Sequence, residues 1–329
     1  MVSSSHPAVT EVMLDVLRDG GNAIDAAVAG SLVQPVHEVH MTNHAGTVVT
    51  LYWDAETGKA YFMDACAELP QGLPIFTPNP HSSENAACIP GFIPGLASML
   101  ERFGSRSWST LMQPAIKAAE EGSVVTSWQY GYITRSLSSN TYFPSGRDFY
   151  TPNGTLIPVG ERWRQPRLAE TLRRSAEEGP EYFTHGDWAK HMVEAGNELG
   201  WPITMEHLAS YEPVWLNPTT FSYRDTEIVG IPPPQRGALY MAYIYGILEE
   251  FDLSSMGHYS ESADALALIA WAMKRAHMEK ALIHDPQFYD VPVETLLSKD
   301  YYRHIARLWK GSRPRVDLTE FLRLTAGEA

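Results

Sequence analysis

The chain has 329 residues, 44% of them hydrophobic, and is therefore long enough to bury a sizeable core. Its 39 acidic and 25 basic residues give a formal net charge of −14, which argues against a nucleic-acid partner and against binding to an anionic membrane surface. Two cysteines, Cys66 and Cys88, are too few for a disulfide framework and indicate a reducing compartment.

The N-terminal segment predicts two consecutive helices. Before them, the first residues lack the basic and apolar regions of a secretory signal, so we expect a cytoplasmic protein unless a leader has been removed. Ser5 is a candidate N-cap with Pro7 in the first turn, and Gly20 and Gly21 end this helix. Asn22 then caps an Ala-rich helix whose small residues allow close packing on a sheet.

The remainder of the chain predicts one hairpin followed by a mostly helical region. Two runs of β-branched and aromatic residues, 47–53 and 60–63, predict the β-hairpin, and the Pro- and Gly-rich stretch 70–94 predicts an irregular path. One later strand is predicted over 219–229. Because no polar linker interrupts the chain, we predict a single domain over 1–329. Helices are predicted over 108–120, 167–176, 188–198, 206–210, 239–250, 262–282 and 299–309.

Several short motifs follow one another in an unusual order along the chain. In order, they are Gly20-Gly21-Asn22-Ala23-Ile24-Asp25, Ile89-Pro90-Gly91, Gln113-Pro114-Ala115, Gln165-Pro166, Pro232-Pro233-Pro234 and Asp285-Pro286. This order resembles the γ-glutamyltranspeptidase family of N-terminal-nucleophile (Ntn) hydrolases over roughly residues 4 to 305. The resemblance implies an α+β fold, the αββα four-layer sandwich of Ntn hydrolases, completed by a partner subunit.

The resemblance also implies where the nucleophile lies. In this family a precursor cuts itself before a Thr, which then opens the small subunit and acts as the nucleophile. No Thr-led small-subunit sequence follows the last matching segment, so we expect the large subunit alone, with no catalytic residue in this chain. The expected partner is a small subunit that begins with Thr, in a heterodimer or a dimer of heterodimers. Neither a cofactor nor a metal is implied.

One departure from the family pattern concerns substrate binding. The family's large subunit supplies an Arg, in an Asp-x-Arg-Glu segment, that binds the α-carboxylate of the glutamyl donor. Here the segment runs Asp64-Ala65-Cys66-Ala67, so Cys66 stands at the position of the Arg and Ala67 at that of the Glu. A thiol has neither the charge nor the donors of a guanidinium group. We therefore predict that γ-glutamyl donors are poor substrates.

A second departure offers a replacement cation. In the turn after the Pro triplet, the family usually carries two Ser, whereas this chain has Gln235 and Arg236 before Gly237. The turn leads into a predicted helix N-terminus, which favours anions. Gln235 and Arg236 are therefore candidate substrate-binding residues, and Arg236 would bind the carboxylate of a small-molecule substrate. The alternative is a surface arginine at a turn.

A third departure changes the predicted pocket wall. Asn43 and His44 lie where relatives have a Gly-rich run, so their side chains are predicted to reshape the substrate site. His37, His40 and His44 have the spacing of one helical face, and such a face could hold zinc. That helix would have to continue past Pro35 and into the first strand, so we expect no metal site.

Together these features predict a large subunit of an autoprocessed γ-glutamyltranspeptidase-like hydrolase that acts on a non-glutamyl amide or related carbonyl substrate. The first alternative is a C–C bond hydrolase of a keto acid in secondary metabolism of the pyrrolobenzodiazepine or lincosamide type. The second is a genuine γ-glutamyltransferase or glutathione hydrolase. The third belongs to another class, a non-catalytic binding protein that has kept this fold.

Overall fold

The computed structural model describes residues 1–66, 68–70 and 88–311. Its strands are β1 Val48–Asp54, β2 Lys59–Ala65, β3 Ser123–Val124, β4 Arg162–Trp163, β5 Val214–Leu216, β6 Thr219–Tyr223 and β7 Thr226–Gly230. Its helices α1 to α8 are Pro7–Arg18, Ala23–His37, Phe92–Phe103, Trp108–Glu121, Ser127–Arg135, Leu137–Asn140, Pro144–Tyr150 and Pro166–Glu178. Helices α9 to α15 are Asp187–Glu198, Met205–Ala209, Gly237–Leu248, Leu253–Met256, Ala263–Glu279, Val293–Leu296 and Lys299–Gly311, and 3-10 turns cover Pro180–Phe183 and Lys280–Leu282. This mixture agrees with the predicted α+β class.

The first helix begins one residue later than its sequence predicts. His6, not Ser5, is the N-cap of α1, and its ring Nδ1 accepts a hydrogen bond of 3.2 Å from the backbone N–H of Ala8. The Ser5 hydroxyl donates instead to the buried carboxylate of Glu38. The prediction of Ser5 as the cap was therefore wrong, because a partner distant in sequence engages its hydroxyl. Pro7 occupies the first turn as predicted.

The start of α2 confirms the predicted Asn22 cap. The Asn22 side chain accepts from the backbone of Asp25 at 3.0 Å, and the Asp25 carboxylate accepts from the Asn22 N–H at 2.8 Å, which is a capping box. Asp25 is fully buried and also accepts from Ser105 and Arg106. Burial opposes ionisation of Asp25, but these hydrogen bonds outweigh it and lower its pKa. The carboxylate thus joins the start of α2 to the segment before α4.

The strands form three sheets within the described residues. The predicted first hairpin is confirmed as β1 and β2, which form a sheet in the order β1-β2-β5, and β3 pairs antiparallel with β4. The single strand predicted over 219–229 is wrong, because β6 and β7 form an antiparallel hairpin with Thr219 opposite Gly230. Arg224, at φ 52°, makes the tight turn between them. The last part of the stretch predicted to be irregular is also helical, since α3 begins at Phe92.

The chain divides into two compact units. Unit 1 comprises Met1–Thr50 and Met63–Trp215, and unit 2 comprises Leu51–Phe62 and Leu216–Ala329. In unit 1, α2 packs against α1 and α4, and in unit 2, α11 packs against α13 and α15. The single-domain organisation stays a prediction. Among the described residues, no helix combines the length and apolar character needed to cross a membrane.

Candidate functional site

The end of β2 leads into Cys66, which we predict to stand at the position of the family's substrate-binding Arg. The backbone N–H of Cys66 donates to Asp64 Oδ1 at 2.9 Å, and its carbonyl accepts from the Tyr211 hydroxyl at 2.7 Å. The Cys66 side chain is half-buried. Hydrogen bonds on both sides therefore hold the Cys66 backbone in place. Ala67 lies outside the described residues.

Gly91 lies against this strand end. A Cβ atom at Gly91 would overlap both the carbonyl oxygen of Ala65 and the hydroxyl of Tyr211. Burial, with repulsion from Glu68 as the next cause, raises the pKa of Tyr211, so its hydroxyl keeps its proton and donates to Cys66. Glycine is thus required at 91 for the backbone to approach this closely.

The loop with Asn43 and His44 lies beside the same segment. His44 is buried, its ring Nε2 lies 2.9 Å from the Leu32 carbonyl oxygen, and its ring packs edge-on against Phe92 with centroids 6.1 Å apart. The Phe92 N–H also donates to the Gly46 carbonyl at 3.0 Å. Gly91 and Phe92 therefore lie between the strand end that carries Cys66 and the loop that carries Asn43 and His44. The structure brings these three predicted residues around one segment of unit 1.

Asn43 and His44 also line a cavity of about 310 Å³. Four aromatic side chains form much of its wall: Phe149, Tyr150, Phe183 and Trp188. The other described lining residues are apolar or neutral and polar, and none of them is Asp, Glu, Lys or Arg. The sequence did not predict these aromatic residues as part of the site, because they lie more than a hundred positions from His44 and follow no common motif.

The histidines near the end of α2 are not gathered into a metal site. The helix continues past Pro35 but ends at His37, whose Nδ1 lies 2.9 Å from the Ser123 hydroxyl. His44 is bonded instead to the Leu32 carbonyl. In residues 1–66, 68–70 and 88–311, no group of three or more His, Cys, Asp or Glu is arranged to bind a metal ion.

Burial keeps His44 neutral. It lowers the pKa of His44 to about 4, although the hydrogen bond to Leu32 favours the charged form. Burial, followed by repulsion from His6, likewise lowers the pKa of His37 to about 4. Because His44 is neutral and its Nε2 faces a carbonyl, the proton resides on Nε2 and Nδ1 is an acceptor.

The stability of the protein should therefore fall on acidification. The pKa of His44 in the folded state, about 4, is below the ordinary 6.5, so the unfolded chain takes up the proton first. Protonation of His44 in the unfolded chain should lower the free energy of unfolding by about 3 kcal/mol as the pH falls from 6.5 to 4. Above pH 7, His44 should not change the free energy of unfolding. Urea unfolding across this range should show a shallower pH dependence for His44→Gln, after normalisation at pH 8. Parallel profiles of the two proteins would contradict the assignment.

Gln235 and Arg236 lie in unit 2, at the start of α11. The Pro triplet leads into this helix, Arg236 is its N-cap residue, and the Arg236 side chain is exposed while Gln235 is half-buried. Within the described part of the chain, no carboxylate forms an ion pair with Arg236. The exposed Arg236 side chain lies at a helix N-terminus, a position that favours anions.

Comparison with known proteins agrees with the motifs and the fold. The family model for Gamma-glutamyltranspeptidase matches residues 9–318. The "Glutathione hydrolase proenzyme" of Bacillus subtilis (strain 168) is 29% identical over 94% of this chain and 54% of its own length. The "Acylase ACY 1 proenzyme" of Pseudomonas sp. (strain V22) is 32% identical over 92% of this chain and 56% of its own length.

The solved structure of Helicobacter pylori gamma-glutamyltranspeptidase matches this chain with a TM-score of 0.88 and 30% sequence identity. The match covers 93% of this chain and 90% of the solved chain. The predicted Ntn-hydrolase fold is thereby confirmed. The chain spans about half the length of the curated relatives it matches, which agrees with the large-subunit share of a processed precursor. It belongs to the γ-glutamyltranspeptidase family, as a divergent large subunit.

Proposed function

We propose that this chain is the large subunit of an autoprocessed hydrolase that acts on a non-glutamyl amide or a related carbonyl substrate. The observation that carries the proposal is that Cys66 follows the end of β2, where the resemblance to the family predicts the carboxylate-binding Arg. No Arg or Lys occurs between residues 60 and 90, so no neighbour along the chain compensates for its charge. An acylase among the relatives supports activity on other amides.

The chemistry would reside on the Thr that opens the partner chain. Its amine accepts the proton of its hydroxyl, and the oxygen attacks the substrate carbonyl. Backbone N–H groups stabilise the oxyanion, and water then releases the acyl group from the enzyme. This chain would supply the walls that select the substrate.

An exposed apolar strand face supports the proposed partner subunit. Val49, Leu51 and Trp53 alternate along β1 and are 41%, 42% and 59% exposed. Three large apolar side chains on one face of a strand are typical of a surface that another chain covers. The small subunit is the occupant that the family relationship favours.

The function can be tested on the full gene product. Intact-mass measurement should find two chains, the smaller one with an N-terminal Thr, and the purified protein should release amine from acyl anilides. Replacement of that Thr by Ala should abolish both processing and turnover. A single unprocessed species that hydrolyses no amide would refute the proposal and favour the non-catalytic alternative.

Arg236 is proposed to bind a carboxylate of the substrate. With an anilide that carries a carboxylate on its ring, Arg236→Ala should raise KM about tenfold or more and leave kcat nearly unchanged, because only uniform binding is lost. If the contact is bidentate, Arg236→Lys should also have a raised KM, because an ammonium group lacks the planar pair of donors of a guanidinium. Arg307→Ala, an exposed arginine of α15, is the matched control. Unchanged kinetics in both Arg236 variants would overturn the assignment.

A further inference from the structure

We propose that the cavity of about 310 Å³ in unit 1 binds the acyl group of the substrate, and that this acyl group is uncharged and aromatic or alkyl. The inference rests on the proposed amide hydrolysis and names its substrate class. It depends on three features of the cavity: its aromatic walls, its neutral polar groups and its size.

The walls contain two aromatic pairs. The rings of Phe149 and Tyr150 lie 4.9 Å apart and nearly perpendicular, and those of Phe183 and Trp188 lie 4.8 Å apart. Leu168 of α8 also lines the cavity. Aromatic and aliphatic surfaces of this kind bind apolar ligands most favourably, because binding removes the apolar surface of both the cavity and the ligand from water.

The polar groups among the described wall residues are neutral and include two acceptors. His44 is uncharged and its Nε2–H faces the Leu32 carbonyl, so Nδ1 remains as an acceptor. Gln165 donates its amide N–H to the Val36 carbonyl at 2.9 Å, so its Oε1 remains as an acceptor. These acceptors suit the N–H of an amide, and no described lining side chain offers a positive charge to a carboxylate.

A glutamyl head group does not fit these walls. It carries both an ammonium and a carboxylate, and among the described lining residues there is no Asp, Glu, Lys or Arg to pair with either. A charge buried without a partner is strongly disfavoured. The volume of about 310 Å³ is at the small end for ligand pockets and is enough for one ring on a short linker.

The test uses the processed protein and para-nitroanilides that differ only in the acyl group. We expect kcat/KM for phenylacetyl and hexanoyl anilides to exceed that for glutaryl and γ-glutamyl anilides at least tenfold. Leu168→Trp, which fills the cavity, should lower kcat/KM for the phenylacetyl anilide at least tenfold. A far-UV circular dichroism spectrum that matches that of the unmodified protein shows that the variant is folded.

A second variant changes the cavity in the opposite direction. Trp188→Ala enlarges it and should shift the preference towards longer or bulkier acyl groups. Trp128→Ala is the matched control, since Trp128 is 67% exposed and does not line the cavity. An unchanged acyl preference in both cavity variants would overturn the inference and leave the proposed function standing.

Binding without turnover separates the two proposals. Saturation-transfer NMR should detect phenylacetamide on the unmodified protein, a weaker signal on Leu168→Trp, and no comparable signal from glutarate. If no anilide is hydrolysed but this binding pattern holds, the proposed function fails and the ligand class of the cavity is supported. Preferential binding of glutarate would refute the ligand class.

Discussion

A chromogenic γ-glutamyl anilide is expected to be a poor substrate of the processed protein. Relative to a family member with Arg at the position of Cys66, kcat/KM should be lower by about a hundredfold or more, because loss of one partner from a buried ion pair costs about 3–5 kcal/mol. Steady-state rates over a range of donor concentrations measure this directly. Robust saturable turnover of this donor would show that the substrate argument is wrong.

Restoring the guanidinium should not restore full γ-glutamyl activity. Cys66→Arg would place the charge on a backbone held by Asp64 and Tyr211, but Asn43 and His44 would still occupy the neighbouring loop. We expect a partial gain in kcat/KM that falls well short of an Arg-containing relative. Cys88→Arg, at an exposed cysteine, is the matched control for an added charge. Full activity of Cys66→Arg would mean that the loop has not reshaped the site.

Gly91→Ala is expected to destabilise the protein by about 3 kcal/mol or more, or to prevent its folding. Its new Cβ would overlap the Ala65 carbonyl and the Tyr211 hydroxyl, and backbone cannot move aside as a flexible side chain can. Denaturant unfolding of the assembled protein measures the change. The variant should also lose activity, because the end of β2 and the loop at His44 both adjoin this segment.

The matched control is Gly131→Ala, in the helix α5. A Cβ at Gly131 meets no atom within 4 Å, so this change should stabilise the helix by about 0.5–1 kcal/mol. If Gly91→Ala were as stable as this control, the close approach at the end of β2 would be disproved.

The sequence by itself determined the features that depend on short-range interactions. The Asn22 cap, the first hairpin and most helices after Trp108 follow from periodicity and from hydrogen bonds between residues a few positions apart. The predicted replacement of the family's Arg by Cys66 likewise depends on one short motif, Asp64-Ala65-Cys66-Ala67. The family and its fold could be predicted for the same reason, because several such motifs occur in a fixed order.

Only the tertiary structure decided which distant residues meet. Ser5 is engaged by Glu38 and Asp25 by Ser105, across separations of 33 and 80 positions, and no local pattern encodes either contact. The cavity beside His44 draws its four aromatic side chains from positions more than a hundred residues away. Long-range packing depends on the joint fit of many surfaces. This packing places a cavity with aromatic residues and uncharged described walls beside the loop for which the sequence predicted only a reshaped site.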